Sequence, residues 1–187
     1  MKTAFFTGNG DKGKSGFGKK KFSKDDSLFY ALGALDTLNS LLGWCAVEAI
    51  HAIRKKKTNS FIHTLHEFQE MLFIAQAEVA AIGFGIKSTK KITHTHIAYL
   101  EKSIKDVDII LPSLTQFIVP GGGELSTRLD IARASARDAE RAIISFHRSR
   151  KCSPELLAFM NRFSSALFAL ARLSNHVAHI RERHPSY

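Results

Sequence analysis

The segment Pro120-Gly121-Gly122-Gly123 constrains the fold of this 187-residue chain more than any other. Proline lacks the amide donor that a helix interior needs, and three successive glycines give up too much backbone freedom to stay helical. The turn therefore ends one helix and releases another. From Glu124 onward, Leu125, Leu129, Ala132, Ala136, Ala139 and Ile143 recur at three- and four-residue steps along one face. Arg133, Arg137, Glu140 and Arg141 share a different face. Three arginines on one stripe repel one another and a single glutamate does not neutralise them. Either an anion lies opposite, or the face is solvated and laced with salt bridges.

Similar punctuation divides the rest of the chain. Ser23 is a good N-cap, and Asp25 and Asp26 follow where the helix dipole favours acids. Leu28, Leu32, Leu35, Leu38, Asn39 and Leu42 keep a helical period, and the cations of Arg54 to Lys57 close this first helix. A second helix is expected over about 59–82, carrying Phe61, Leu65, Phe68, Leu72, Ala75 and Val79 and ending in Gly83-Phe84-Gly85. A third is expected over about 93–116, with Pro112 kinking it or marking its last turns. The fourth runs from 124 to about 150. The fifth opens at Ser153 with Pro154 at its first position and continues to about 183. No stretch reads as a convincing strand, and no internal repeat is present. Five helices with short connections predict an all-α, antiparallel bundle in one domain spanning 1–187, with a glycine- and lysine-rich loop (1–22) ahead of the bundle (23–187).

Charge is placed unevenly. The net charge is +10, and through Lys24 there are seven lysines against one aspartate. Such a segment suits phosphate, whether of nucleic acid, a nucleotide or an anionic membrane surface, and it also suits a solubilising tail. Cys45 and Cys152 are the only cysteines and have no paired spacing, which fits a reducing compartment. The apolar run at the start is too short for a signal peptide, and Gly33, Asp36, Asn39 and Glu48 interrupt the longest later one. A cytoplasmic protein without a membrane span is expected.

Gly8-Asn9-Gly10-Asp11-Lys12-Gly13-Lys14-Ser15 matches the P-loop pattern G-x-x-x-x-G-K-S. A P-loop, however, joins a buried strand to a helix within a parallel sheet, and here Gly16-Phe17-Gly18 follow. The local physics survives without that fold: glycine leaves backbone amides unshielded and the lysines add charge, so phosphate can still bind. The histidine pairs His63/His66, His94/His96 and His176/His179 lack cysteine or carboxylate support, so no metal site is read. Asp36 sits among Leu35, Leu38, Leu41 and Leu42. It is either a helix-surface aspartate or a carboxylate near the apolar side that needs a partner, such as an arginine from another helix or subunit.

Six pieces in one order carry a resemblance: Thr7-Gly8-Asn9-Gly10-Asp11-Lys12-Gly13, Lys24-Asp25-Asp26, Leu35-Asp36-Thr37-Leu38-Asn39-Ser40, Phe117-Ile118-Val119-Pro120-Gly121-Gly122, Ala132-Arg133 to Glu140-Arg141, and Asn161-Arg162-Phe163-Ser164. Together they span nearly the whole chain, which resembles the PduO-type ATP:cob(I)alamin adenosyltransferases. The resemblance implies a five-helix bundle assembled as a homotrimer, with active sites between subunits. It implies transfer of the 5′-deoxyadenosyl group of ATP to the cobalt of a reduced corrinoid, releasing triphosphate. On the same ground, Thr7, Gly8, Asn9, Gly10, Ser15, Gly16 and Lys24 hold the triphosphate together with Arg137, Glu140, Arg141 and Asn161. Arg133 pairs with Asp36 across the interface, and Phe117 displaces the lower axial ligand of cobalamin. Magnesium is expected to arrive with ATP, and a corrinoid reductase is an expected further partner.

Departures from the family pattern are also legible. Thr37 stands where a glutamate is usual, Ala34 where an acid is frequent, Ser165 where the Asn-Arg-Leu-Ser-Asp run ends in aspartate, and Gly8 where the nucleotide loop carries a cation. Two other readings stay open. One is a non-catalytic ATP- or corrinoid-binding module of the same fold; the other is a basic, nucleic-acid-binding helical protein, weakened by having only Phe17 and Phe22 near the lysine run for base stacking.

Overall fold

The computed structural model describes residues 5–52 and 55–187, without the side chains of residues 52 and 55–59. Five helices account for most of it: α1 (Ser27–Ala52), α2 (Lys55–Phe84), α3 (His94–Asp108), α4 (Glu124–Ser149) and α5 (Pro154–Val177). Helix α1 packs against α2 and α4, α4 also packs against α5, and α5 against α3. The core is the periodic apolar set: Leu28, Leu35, Leu38 and Leu42 of α1 and Leu129, Ala132, Ala136, Ala139 and Ile143 of α4 are all fully buried. Phe163 joins them, 5.2 Å from Phe68 and 5.3 Å from Phe159 between ring centres. Helix α5 is long and apolar enough to cross a membrane by length and composition, yet 61% of its most apolar window is buried inside the bundle, as befits a core helix.

Element ends differ from expectation for local reasons. The segment read as strand-free contains an antiparallel hairpin, β1 (Lys14–Phe17) and β2 (Lys20–Ser23), with Ser15 opposite Phe22 and Gly16 opposite Lys21. Four-residue strands are too short to show alternation, and the turn signal was Gly18, which has φ +59°. Ser23 ends β2, so it does not cap α1. Asp26 does: its Oδ1 accepts the Leu28 amide and its carbonyl the Phe29 amide, both at 2.9 Å. Lys55, Lys56 and Lys57 open α2 and do not close α1, because lysine is a good helix former and no glycine or proline occurs from there until Gly83. Arg54 lies outside the described residues. Helix α3 stops at Asp108, before the residue preceding Pro112 is driven out of the helical region. Helix α5 begins as expected, with Ser153 Oγ accepting the Leu156 amide, but ends at Val177; the remaining residues fold back over the bundle.

Two polar ties hold the ends of the bundle. Glu78, 3% exposed, accepts from the Ile92 amide at 2.8 Å and from Ser153 Oγ at 2.6 Å, joining α2 to the start of α5. Arg150 donates to both oxygens of Asp26 at 2.8 Å, with its guanidinium 5.2 Å from the Phe22 ring and 5.6 Å from the Phe146 ring. The Arg150 hydrogen bond holds the Asp26 carboxyl below its ordinary value of 3.8. A depressed folded-state value means that the pair stabilises above the unfolded value and loses that contribution as pH falls through the folded one. Arg150→Met, which keeps the stem over both rings, is therefore expected to lower Tm at neutral pH. Its deficit should close below about pH 4, as thermal melts across pH would report. A deficit independent of pH would assign Arg150's contribution to packing alone.

Candidate functional site: a glycine loop and an arginine-lined cleft

The glycine loop is built to expose backbone. Gly8 and Gly13 have φ of +70° and +69°, open to glycine at little steric cost. Turns run from the Gly8 carbonyl to the Asp11 amide and from the Gly10 carbonyl to the Gly13 amide, both at 3.2 Å. Thr7 Oγ1 accepts the Asn9 amide. Lys24 closes the loop, its amide bonded to the Gly13 carbonyl at 2.9 Å and its ammonium lying over Gly10. Ser15 and Gly16 sit in β1, where a side chain at 16 would overlap the Lys20 carbonyl, so the hairpin itself requires glycine there. The P-loop match ends at this point. Lys14 and Ser15 enter a strand of a two-stranded antiparallel sheet, where a P-loop would open a helix.

The second half-site is a cleft of about 650 Å³ between α4, α5 and the irregular segment 109–123. Phe117, Arg133, Arg137, Ser165, Phe168 and Asn175 are among its lining residues. The Pro-Gly-Gly-Gly turn forms one wall and is held by side chains. Asp130 Oδ2 accepts the Gly121 amide at 3.0 Å; Asn175 donates to the Gly121 carbonyl at 2.9 Å and accepts the Gly123 amide at 3.0 Å. Gly122 has φ +108°, and a Cβ there would meet the Asn175 amide group, so its glycine is required twice over. Phe117 protrudes from the same segment, 80% exposed.

The charged stripe of α4 separates into different environments. Arg133 donates to Asp130 at 3.1 Å and stands 6.0 Å from the Phe168 ring. Arg141 pairs with Asp138, and Glu140 accepts from Asn161 Nδ2 at 3.1 Å, joining α4 to α5. Arg137 faces the cleft and has no ion-pair partner among the described residues. The stripe is thus partly the salt-bridged face that was one of its two readings, with Arg137 left without an ion-pair partner among the described residues. Asp36 is exposed, one position off the buried stripe, in an open groove between α1 and α2 beside Phe29, Leu32 and Phe73. It makes no ion pair within the chain among the described residues.

Geometry keeps these groups apart within one chain. The hairpin rests on the C-terminal end of α4, where Phe22 meets Arg150, while the cleft takes Asp130 and Arg133 from the first half of the helix and Arg137 from its middle. Arg137 and Arg150 are thirteen residues apart on or at the end of α4, which at the helical rise is about 20 Å. The cleft also contains residues that sequence reasoning did not single out: Phe168, Arg172, Asn175 and Glu182. Arg172 carried a signal, since it interrupts the apolar run Leu167, Leu170, Ala171, Leu173 much as Asp36 interrupts the leucines of α1. Both thiols are buried, and burial pushes Cys45 up to about 12 and Cys152 to about 11, which leaves them protonated and inert. Among the described residues no three His, Cys, Asp or Glu side chains converge as a metal site.

The molecule is thus a five-helix bundle with a small hairpin, carrying a glycine- and lysine-rich loop and, apart from it, a cleft lined by Arg133 and Arg137. The profile of the cobalamin adenosyltransferase family matches residues 5–174. A corrinoid adenosyltransferase of Citrobacter freundii is 33% identical over 170 residues, covering 90% of this chain and 93% of that protein. The corrinoid adenosyltransferase MMAB of Bos taurus is 34% identical over 175 residues, 89% of this chain and 69% of that one. Among solved structures, a variant of the PduO-type ATP:corrinoid adenosyltransferase of Lactobacillus reuteri, complexed with cobalamin and ATP, superposes with a TM-score of 0.88. It is 29% identical and covers 97% of this chain and 96% of its own. The chain belongs to the cobalamin adenosyltransferase family.

Proposed function

We propose that this protein transfers the 5′-deoxyadenosyl group of ATP to cob(I)alamin or a related reduced corrinoid. The Co(I) electron pair attacks the ribose C5′, a Co–C bond forms, the C5′–O bond breaks and triphosphate departs with its electrons. The nucleophile belongs to the substrate, so the protein needs no activated serine or cysteine. Its task is to align C5′ and stabilise the leaving charge. The observation that carries this reading is the cleft: Arg137, without an ion-pair partner among the described residues, lines a cavity whose wall combines Phe117, Phe168 and the glycine turn with the paired groups Asp130, Arg133, Arg172 and Glu182, a surface that suits a large apolar ring system meeting an anion.

The active site lies between subunits of a homotrimer in this reading. The hairpin that follows the glycine loop meets Arg150, about 20 Å along α4 from Arg137, so in this reading the loop and the Arg137 of one chain serve different active sites. Docking a second copy supplies the missing half: Thr7, Gly8, Asn9, Gly10, Ser15, Gly16 and Lys24 from one subunit face Arg137, Glu140, Arg141 and Asn161 from its neighbour. Arg133 reaches Asp36 across the same interface, and Phe117 covers the lower face of the corrinoid and displaces its axial ligand. Magnesium comes with ATP, its ligands being phosphate oxygens and water. The lysines of the loop complement phosphate, which favours nucleotide over the nucleic-acid reading because the turns present amides to a compact anion, with little aromatic surface for stacking.

The deciding experiment is an anaerobic spectral assay in which chemically reduced cob(I)alamin is mixed with the protein and magnesium-ATP. Adenosylcobalamin is expected to appear, and to fail to appear when ATP is omitted. Bound ATP without product would instead identify a non-catalytic module, with Ser165→Asp as the next protein to assay.

A further inference from the structure

The segment that carries Phe117 has no helix or strand of its own, and the end of the chain fixes it in place. Arg172 of α5, 8% exposed, donates from Nε and Nη2 to the two carboxylate oxygens of Glu182 at 2.9–3.3 Å. Its Nη2 also reaches the Pro112 carbonyl at 3.3 Å. The next two residues of the tail continue the strap: the Arg183 carbonyl accepts the Val119 amide at 2.8 Å, and His184 Nδ1 donates to the Phe117 carbonyl at 2.8 Å. Three points of the segment, at residues 112, 117 and 119, are therefore bonded to Arg172 or to the two residues after Glu182. All three bonds go to main-chain atoms, so they fix the backbone from which the Phe117 side chain projects. The tail itself is held by the Arg172–Glu182 pair, which is largely withdrawn from water; removing one partner of such a pair leaves the other charge uncompensated.

We propose that Glu182, acting through Arg172, is a positioning residue for the corrinoid step: the buried pair sets the tail as a strap that holds the backbone of Phe117 over the cleft. This rests on the reading of Phe117 as the residue that displaces the axial ligand. Neither Arg172 nor Glu182 has to touch the reacting atoms, since a displacement of about 1 Å in a group that must meet the substrate costs on the order of a hundredfold in rate. A tail that merely protected the bundle would affect stability and leave the corrinoid step alone.

The test compares Glu182→Gln, Glu182→Asp, His184→Ala and Phe117→Ala with the parent, measuring kcat, the ATP KM, Tm and the absorbance of four-coordinate cob(II)alamin with ATP bound. Glu182→Gln is expected to lower kcat and the four-coordinate signal by about tenfold or more while the ATP KM stays within about twofold, and Glu182→Asp to restore most of both. Should Glu182→Gln keep the signal while Phe117→Ala loses it, the strap is overturned and the role of Phe117 stands. If Phe117→Ala also keeps it, the reading of Phe117 fails and the strap falls with it. An equal loss of kcat and ATP affinity, without rescue by aspartate, would assign the pair a general structural role and overturn the proposal. If Glu182→Gln does not fold, His184→Ala decides the matter, because that exposed side chain removes only the bond to the Phe117 carbonyl. A reduced signal there supports the strap, and an unchanged one overturns it.

Discussion

Phe117→Ala is expected to lower the rate of adenosylation by roughly 10- to 100-fold while changing ATP affinity little. The magnitude reflects how much the ring can contribute. Burying a phenylalanine side chain contributes about 1.5–3 kcal/mol, and at 80% exposure Phe117 gains almost none of this within its own subunit. Its apolar surface is available to a ligand. If the ring is covered only when the corrinoid's lower ligand has left, the gain belongs to the reactive state and not to the resting complex, and each 1.4 kcal/mol of it is about tenfold in rate. Phe117 offers triphosphate no charge and no donor, so the ATP KM should hold. The check is steady-state kinetics with both substrates, together with the four-coordinate cob(II)alamin spectrum. Unchanged turnover would remove Phe117 from the mechanism, and a rise in the ATP KM with kcat intact would make it part of the nucleotide site.

The bundle was legible in the sequence because burial imposes a period. Leu129, Ala132, Ala136, Ala139 and Ile143 could be assigned to one face from spacing alone, and all five are fully buried. The Pro-Gly-Gly-Gly turn was legible because its dihedrals exclude other structures; Gly121 and Gly122 indeed have φ of +126° and +108°. The ends of elements were not, since they depend on contacts distant in sequence. Whether Ser23 or Asp26 caps α1 is decided partly by Arg150, 124 residues further on, which binds the Asp26 carboxylate. Nothing local to the last residues announces that helix α5 will give way to a strap either; that outcome depends on Arg172 meeting Glu182 and the Phe117 segment. The candidate site was legible as a set of residue types and not as an arrangement. The sequence groups Thr7 to Lys24 with Arg137 only through a resemblance, and in the single chain the hairpin meets the C-terminal end of α4 while Arg137 stands at its middle. Periodicity reports what a chain buries in itself, and it is silent about what a second copy brings.

Charge reversal at Arg133 tests that second copy directly. Within the chain Arg133 binds Asp130, and Asp130 in turn holds the Gly121 amide, so Arg133→Asp sets a second carboxylate beside one that is only 12% exposed. If Arg133 also meets Asp36 of a neighbour, the change breaks two interactions. Disrupting a charge pair sheltered from water costs about 3–5 kcal/mol, enough to lower activity by two orders of magnitude or more or to dissociate the assembly. Asp36 has no ionic partner among the described residues of its own chain, so Asp36→Arg reports the contact between subunits alone and should cost less. The double variant restores attraction across the interface but not the bond to Asp130, so its recovery should be partial, with a coupling of about 0.5–3 kcal/mol in a double-mutant cycle. Activity and sedimentation should recover together, because the pair acts on catalysis by joining the two half-sites. Strictly additive losses would separate Asp36 from Arg133 and confine Arg133 to holding the glycine turn through Asp130.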